Sequence, residues 1–172
     1  MLANTSDFRI KANAAVFYLS HFAHKHSLQG RARADHFCYK CGSAESFEHM
    51  RKMLEGESDF IFQSIISRRR IAYIRLKNPI ETVLGSVEYL ELSDQKPDKS
   101  QMEGFDHVEA YPVGWSYEDM ITMFEDGEET VMLEERPHHT THSIIIARPE
   151  NPFLFRCTRE PLIEKIKREE MK

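Results

Sequence analysis

The stretch ADHFCYKC at residues 34–41 decides the fold, because a related stretch, DHVEAY, returns at residues 106–111. Each is a short β-prone run followed by a helical stripe and then by three more strand-like segments. The histidines of the two Asp-His dipeptides, His36 and His107, are 71 residues apart (107 − 36). An internal repeat of this kind indicates two units that bury their apolar faces against each other. The sequence therefore predicts a pair of βαβββ modules.

The predicted class is α+β, a single domain whose two modules form one cupped mixed sheet. The first module, residues 34–93, has strands at 36–41, 60–66, 71–76 and 87–92 and a helix over 43–54. The second, residues 104–158, has strands at 106–111, 129–134, 142–147 and 153–157 and a helix over 116–124. A helix over 6–26, capped by Ser6, lies in an N-terminal segment (1–33), and a C-terminal helix lies in 159–172. We expect connectors at 27–35 and at Asn78-Pro79, and a linker or candidate lid at 94–103.

The overall composition limits the classes of function. The chain has 172 residues, of which 41% are hydrophobic, and a net charge of −5, so it lacks the basic excess of a nucleic-acid binder. No apolar run is long enough for a membrane span, and no secretory signal is visible. Three cysteines do not suggest a disulfide framework, and a cytoplasmic protein is the expectation. The expected partner is a small molecule, and the chain is expected to be a monomer or a homodimer.

Side chains alternate between the two faces of a strand. This alternation places three pairs on the polar faces of their strands: His36 with Cys38, His107 with Glu109, and Tyr89 with Glu91. If the modules pair about a pseudo-twofold axis, these faces meet across a cup. Two imidazoles and one carboxylate converging there are the ligands of an open two-histidine, one-carboxylate metal site. The alternative is that both histidines satisfy buried hydrogen bonds and that Glu91 is a surface residue.

Two smaller patterns carry alternative interpretations. His138, His139 and His142 follow Pro137 and read either as a polar turn or as a source of one ligand or proton carrier, His142, at the cup mouth. Cys38 and Cys41 have the spacing of a zinc grip. They would lie on opposite faces of a strand, however, so only Cys38 remains a candidate, as a thiol in the pocket.

The runs ADHFCYKC (34–41), YLEL (89–92) and EGFDHVEAYP (103–112), in this order and spacing, resemble the YecM-like branch of the vicinal-oxygen-chelate superfamily. That superfamily includes glyoxalases, extradiol dioxygenases, fosfomycin-resistance enzymes and bleomycin-binding proteins. The resemblance extends over about residues 34–166 and implies a glyoxalase-like cup with divalent-metal ligands on the first, fourth, fifth and eighth strands. Carried over position by position, these are His36, Glu91, His107 and a residue at about Arg156.

Arg156 departs from the glutamate that the resemblance implies on the eighth strand. An arginine has no lone pair to donate, so it can neither bind a metal nor act as a base. One hypothesis is a metal-dependent enzyme with lyase, isomerase or oxygenase chemistry, in which zinc, nickel, manganese and iron are not distinguished. Its ligand would be small, oxygenated and anionic, paired with Arg156. The other is a binding or sequestering protein that uses the same cup without chemistry. A vestigial cup on a protein that acts through a partner surface is a third.

Overall fold

The structure is a computed structural model that describes residues 2–135, 140–148 and 151–170. These residues form four helices: α1 (Thr5–Lys25), α2 (Ala44–Glu55), α3 (Tyr117–Asp126) and α4 (Leu162–Glu170). They also form eight strands: β1 (Ala32–Lys40), β2 (Ser58–Ile66), β3 (Arg69–Thr82), β4 (Gly85–Ser93), β5 (Gly104–Pro112), β6 (Met132–Glu135), β7 (Thr140–Ala147) and β8 (Phe153–Cys157). None of the helices in this part of the chain has the length and apolar character needed to cross a membrane.

The eight strands make one mixed sheet in the order β2-β3-β4-β1-β5-β8-β7-β6. The order is symmetric about the centre, where β1 and β5 pair antiparallel. On either side, β4 runs parallel to β1 and β8 runs parallel to β5, and the outer strands add as antiparallel hairpins. The predicted α+β class and the paired βαβββ modules are confirmed.

The apolar core lies on one face of this sheet, beneath the first three helices. Phe37 of β1 is fully buried, with its ring edge-to-face with Phe105 of β5 and stacked with Phe153 of β8. Phe22 of α1 and Phe124 of α3 belong to the same core. Because side chains alternate along β1, burying Phe37 beneath the helices places His36 and Cys38 on the other face, which forms the cup.

Three local features illustrate where the structure differs from the sequence prediction. Asn4, not Ser6, caps α1, its side chain accepting from the Asp7 amide at 3.0 Å. The predicted connector at 27–35 ends early, because β1 already begins at Ala32. The predicted break at Asn78-Pro79 lies inside β3, where the pairing with β4 is irregular between Arg75 and Ile80. Proline has no amide hydrogen, and an interrupted ladder accommodates it without ending the strand.

Candidate functional site

Two β-bulges in the central strand pair shape the cup. Opposite β5, the register of β1 shifts between Ala34 and His36, which leaves Asp35 as an extra residue. Opposite β1, the register of β5 passes from His107 to Phe105, which leaves Asp106 as an extra residue. A bulge re-aims the side chain that it carries. Each aspartate thereby reaches the ring of the histidine that follows it.

The two Asp-His pairs fix the tautomers of the histidines. His36 Nδ1 donates to Asp35 Oδ2 at 2.8 Å, and His107 Nδ1 donates to Asp106 Oδ2 at 2.7 Å, since a carboxylate only accepts. In the neutral form of each ring the lone pair is therefore on Nε2. Carboxylate–histidine pairs of this kind orient the histidine ligands of metal sites and make them more basic.

His36 Nε2 is the least satisfied polar atom of the cup. It is buried and has no hydrogen-bond partner among the described residues. Glu91 Oε2 lies 3.8 Å away and Glu109 Oε1 lies 4.0 Å away, both too far for a hydrogen bond. The ligand atoms of His36, Glu91 and His107 all lie within 4.8 Å of one another. The structure thus brings the three residues of the predicted metal site together.

Glu109 adds a second carboxylate at the centre of the cup. Its Oε1 lies 4.0 Å from His36 Nε2 and 3.9 Å from His107 Nε2. Two ligands that each bind one ion at about 2.1 Å lie at most about 4.2 Å apart. Glu109 is therefore within reach of an ion that both histidines would bind.

Arg156 occupies the position in the second module that Glu91 occupies in the first. Cys38 pairs with Glu91 across β1 and β4, and Glu109 pairs with Arg156 across β5 and β8. Cys38 and Glu109 are themselves equivalent, each two residues after its histidine. The register therefore places Arg156 in the second module where Glu91 lies in the first.

The Arg156 guanidinium is held inside the cup by protein groups. Its Nη1 lies 2.9 Å from His107 Nε2 and 3.2 Å from His107 Nδ1, against the ring, and its Nε donates to Ser143 Oγ at 3.3 Å. Its Nη2 lies 3.2 and 3.3 Å from the two carboxylate oxygens of Glu134, on β6. These contacts leave Arg156 little capacity for an external anion, and a metal ion at His107 would have to compete with it.

The described part of the cup holds more negative than positive charge. Its five carboxylates face three cations, Lys40, Arg156 and Lys165; the carboxylates are Asp35, Glu91, Asp106, Glu109 and Glu134. With neutral histidines, this leaves a net charge of −2 in a buried site, and uncompensated charge is costly there. A divalent cation would balance that charge.

The shifts in pKa reflect this excess. Burial disfavours the imidazolium form of His36, but the neighbouring carboxylates, led by Glu109, outweigh burial and raise its pKa from 6.5 to about 10. Burial also opposes ionisation of Glu91, yet the two histidines hold its pKa at about 2. Burial and the Arg156 charge lower the pKa of His107. The His36 position thus attracts positive charge, and His107 is kept neutral.

The C-terminal helix covers part of the cup. The Leu162 amide at the start of α4 donates to Asp35 Oδ2 at 2.9 Å, the same oxygen that accepts from His36. One turn later, Lys165 Nζ lies 3.4 Å from Glu109 Oε2. Leu162 and Ile166 are both buried. Helix α4 therefore contributes to the burial of the two histidines, which are only 1–2% exposed.

The remaining predicted residues fall in different places. Cys38 lies in the cup, where its Sγ donates to Glu91 Oε1 at 3.4 Å and burial raises the pKa of the thiol. Tyr89 is half-buried and shares the cup-facing side of β4 with Glu91. His142 lies on the opposite face, because its neighbour Ser143 contacts Arg156 in the cup while His142 Nδ1 accepts from Tyr117 OH on α3. His138 and His139 lie outside the described residues.

Four charged residues of the cup were not predicted from the sequence. Asp35 and Asp106 were visible as parts of a repeated Asp-His dipeptide, but strict alternation assigns them to the wrong face. Glu134 and Lys165 reach the site only through the β6–β7 pairing and the docking of α4. No local sequence signal marks these two residues.

Comparison with known proteins places the chain among relatives. A protein-family profile described as "YecM protein" matches residues 10–126. The match includes His36, Glu91 and His107 and ends before Arg156 and α4. A comparison with curated protein sequences finds no match.

Solved structures share the fold at low sequence identity. The structure of protein EC4020 is 16% identical with a TM-score of 0.71, and the match covers 98% of both chains. Methylmalonyl-CoA epimerase from Mycobacterium tuberculosis is 10% identical with a TM-score of 0.47, covering 77% of this chain and 91% of the epimerase. Hypothetical protein BH1468 from Bacillus halodurans C-125 is 13% identical with a TM-score of 0.43, covering 75% and 96%. These likenesses concern the fold and do not assign a reaction.

Replacing Arg156 by methionine tests the charge balance of the cup. The change removes the guanidinium that contacts Glu134 and lies 4.0 Å from Glu109, and removing one partner of a buried pair typically costs about 3–5 kcal/mol of unfolding free energy. Chemical denaturation of metal-free protein measures the loss. Arg75→Met is the matched control, because Arg75 pairs with Glu88 at the surface, and little or no change is expected. Equal stability of the two variants would contradict the role given to Arg156.

Proposed function

This chain belongs to the YecM family, and we propose that it binds a divalent metal ion through His36, Glu91 and His107 for use with a small oxygenated ligand. The observation that carries the proposal is the buried, unpartnered His36 Nε2 between two carboxylates. In the neutral ring its lone pair is on Nε2, because Asp35 accepts the Nδ1 hydrogen. A buried nitrogen in this state is stabilised by a proton or by a metal ion.

The residues of the cup fit such an ion in number, charge and kind. Two imidazoles and a carboxylate suit zinc, nickel, manganese or iron(II) and leave coordination positions open. A bound divalent ion supplies Lewis-acid chemistry at an oxygen of the ligand. For His107 to bind the ion, the Arg156 guanidinium would give up its contact with His107 Nε2. It would keep its contacts with Glu134 and Ser143.

The protein's own groups define what chemistry is available. Glu109 presents a carboxylate 3.9–4.0 Å from both histidine Nε2 atoms, either as a further ligand or as a proton acceptor. Lys165 neutralises part of its charge from α4. The near-complete burial of both histidines limits the water that reaches the centre. We propose an enzyme that acts on an oxygen-bearing small molecule. In this enzyme Glu109 takes the role of ligand or base that the resemblance gives to an acid on β8.

A second candidate function is binding without turnover. The observation that favours it is Arg156, whose position on β8 corresponds to that of the Glu91 ligand and offers neither ligand nor base. In that case the cup would sequester a ligand, with or without an ion. Glu109 and Glu91 would then serve only to position it.

Metal binding is the first test. Untagged wild-type protein should bind one equivalent of zinc, nickel, manganese or iron(II), measured by elemental analysis and calorimetry. His107→Ala and Glu91→Gln should weaken binding by at least about 100-fold, more than the loss usually seen when an outer-shell partner is removed. His49→Ala is the control, because His49 Nε2 bonds to Leu2 O, away from the cup. Absence of stoichiometric metal, or an equal loss in His49→Ala, rules out the site.

The aspartates of the two bulges should tune the affinity without being ligands. Asp35→Asn and Asp106→Asn each remove a carboxylate from the Nδ1 of a ligand histidine, and we expect about 10- to 100-fold weaker metal binding. Asp59→Asn, on the exposed surface of β2, should leave the affinity unchanged. If both bulge variants bind as tightly as wild type, the aspartates do not orient the ligands.

Turnover separates the enzyme from the binding protein. Metal-loaded wild type, Glu109→Gln and Glu91→Gln would be screened against small hydroxy- and oxo-acids by mass spectrometry of the products. We expect conversion by wild type that is lost in Glu109→Gln while metal content is retained. A ligand that binds to the metal-loaded protein but is released unchanged by all three proteins would favour sequestration.

A further inference from the structure

An open cavity of about 210 Å³ lies at one end of the cup, where β1 ends and β5 and β8 begin. Its lining includes Lys40, Lys96, Gln101, Asp106, Asn151 and Leu154. Lys40 follows His36 and Cys38 on the cup-facing side of β1, and Leu154 precedes Arg156 on the same side of β8. The cavity is thus an extension of the cup.

The loop at 94–103 forms one wall of this cavity and is anchored at both ends. Gln101 is buried, and its Nε2 donates to Cys41 O and Asp94 O, each at 2.9 Å. Gln95 Nε2 donates to Gly42 O at 2.6 Å and to Gln101 O at 2.9 Å. These bonds fix the base of the loop against the end of β1. The loop is therefore held in place as a wall of the cavity, and it carries Lys96.

Three polar groups in the lining retain binding capacity. Lys40 Nζ donates to Asp106 Oδ1 at 2.5 Å, which uses one of its three hydrogens. The Lys96 ammonium forms no ion pair with any side chain in the described ranges. Asn151 Oδ1 is buried without a hydrogen-bond partner in that same part of the chain, while its Nδ2 donates to Glu103 O at 3.2 Å.

The chemistry of these groups defines a ligand. Two ammonium groups and one carboxylate, that of Asp106, give the lining a net positive charge in a protein of net charge −5. Ammonium groups bind phosphate and carboxylate oxygens by charge-assisted hydrogen bonds. The unpartnered acceptor of Asn151 calls for a hydroxyl or another donor beside the anion.

We propose that this cavity is a subsite for the oxyanion end of a small hydroxylated molecule, held by Lys40 and Lys96, with Asn151 accepting from an adjacent hydroxyl. Asp106 connects the subsite to the candidate metal centre, because Oδ1 accepts from Lys40 and Oδ2 accepts from His107. The further step, in which the same molecule also presents oxygens to His36 and His107, rests on the proposed function. Binding of the oxyanion in the cavity is independent of the proposed function.

The test uses full-length protein treated with a chelator, so that its result is independent of metal binding. Inorganic phosphate, glycerol 3-phosphate and glycerol are titrated separately and followed by the backbone amide signals of Lys96, Gly104 and Asn151. We expect saturable shifts with both phosphates, tighter binding of glycerol 3-phosphate than of phosphate, and none with glycerol. Lys96→Ala should weaken both phosphates by roughly five- to tenfold, the loss of one charge-assisted contact.

Two variants make the outcome specific. Lys99→Ala removes a lysine of the same loop that does not line the cavity, and it should leave both affinities unchanged. Asn151→Ala should abolish the preference for glycerol 3-phosphate over phosphate while phosphate still binds.

Absence of saturable shifts, or equal weakening of binding by Lys99→Ala and Lys96→Ala, overturns the subsite. Equal affinity of wild type for phosphate and its ester overturns the hydroxyl contact. If these results hold while metal binding fails, the subsite stands and its link to a metal-bound ligand falls.

Discussion

The antiparallel pairing of β1 with β5 is the contact on which the rest of the molecule depends. It lies at the centre of the eight-stranded sheet and relates the two modules, so that His36 and His107 approach from opposite directions. The extra residues in this pair, Asp35 and Asp106, are placed symmetrically, one on each strand. Without the bulges the aspartates would point beneath the helices, where a carboxylate is costly to bury. The same irregularity therefore removes two charges from the core and orients two histidines.

The two halves of the repeat differ most where their charges differ. The equivalent residues are Glu91, beside Cys38, in the first module and Arg156, beside Glu109, in the second. The second module therefore carries a cation where the first carries an anion. The exchange reduces the negative charge of the cup but does not cancel it, because Glu134 pairs with Arg156 from β6. The remaining excess is concentrated at His36, whose pKa rises for that reason. Arg156 thus balances carboxylates that the proposed metal ion would also balance, and it lies next to the His107 Nε2 that such an ion would use.

Prediction from the sequence succeeded where structure follows from period and repeat. Alternation along a strand places His36 on the cup-facing side of β1, and His107 and Glu109 on the cup-facing side of β5, regardless of the surrounding residues. It failed where one extra residue reverses the alternation, as at Asp35, because a bulge depends on the partner strand. One of the two interpretations of His142 placed it at the cup mouth, but the pairing of β7 with β8 turns it towards Tyr117. Lys165 depends on how α4 docks, which local pattern does not encode.

The bond from α4 to Asp35 joins the centre of the cup to the end of the described chain. Asp35 Oδ2 accepts from both His36 Nδ1 and the Leu162 amide, and a carboxylate oxygen has two lone pairs to offer. The orientation of His36 and the position of α4 are therefore set by one group. Coupling of this kind is reciprocal, because a ligand that strengthens the His36–Asp35 contact also stabilises the arrangement of Asp35 that holds α4. The C-terminal helix belongs to the site through these contacts and through Lys165, which lies beside Glu109.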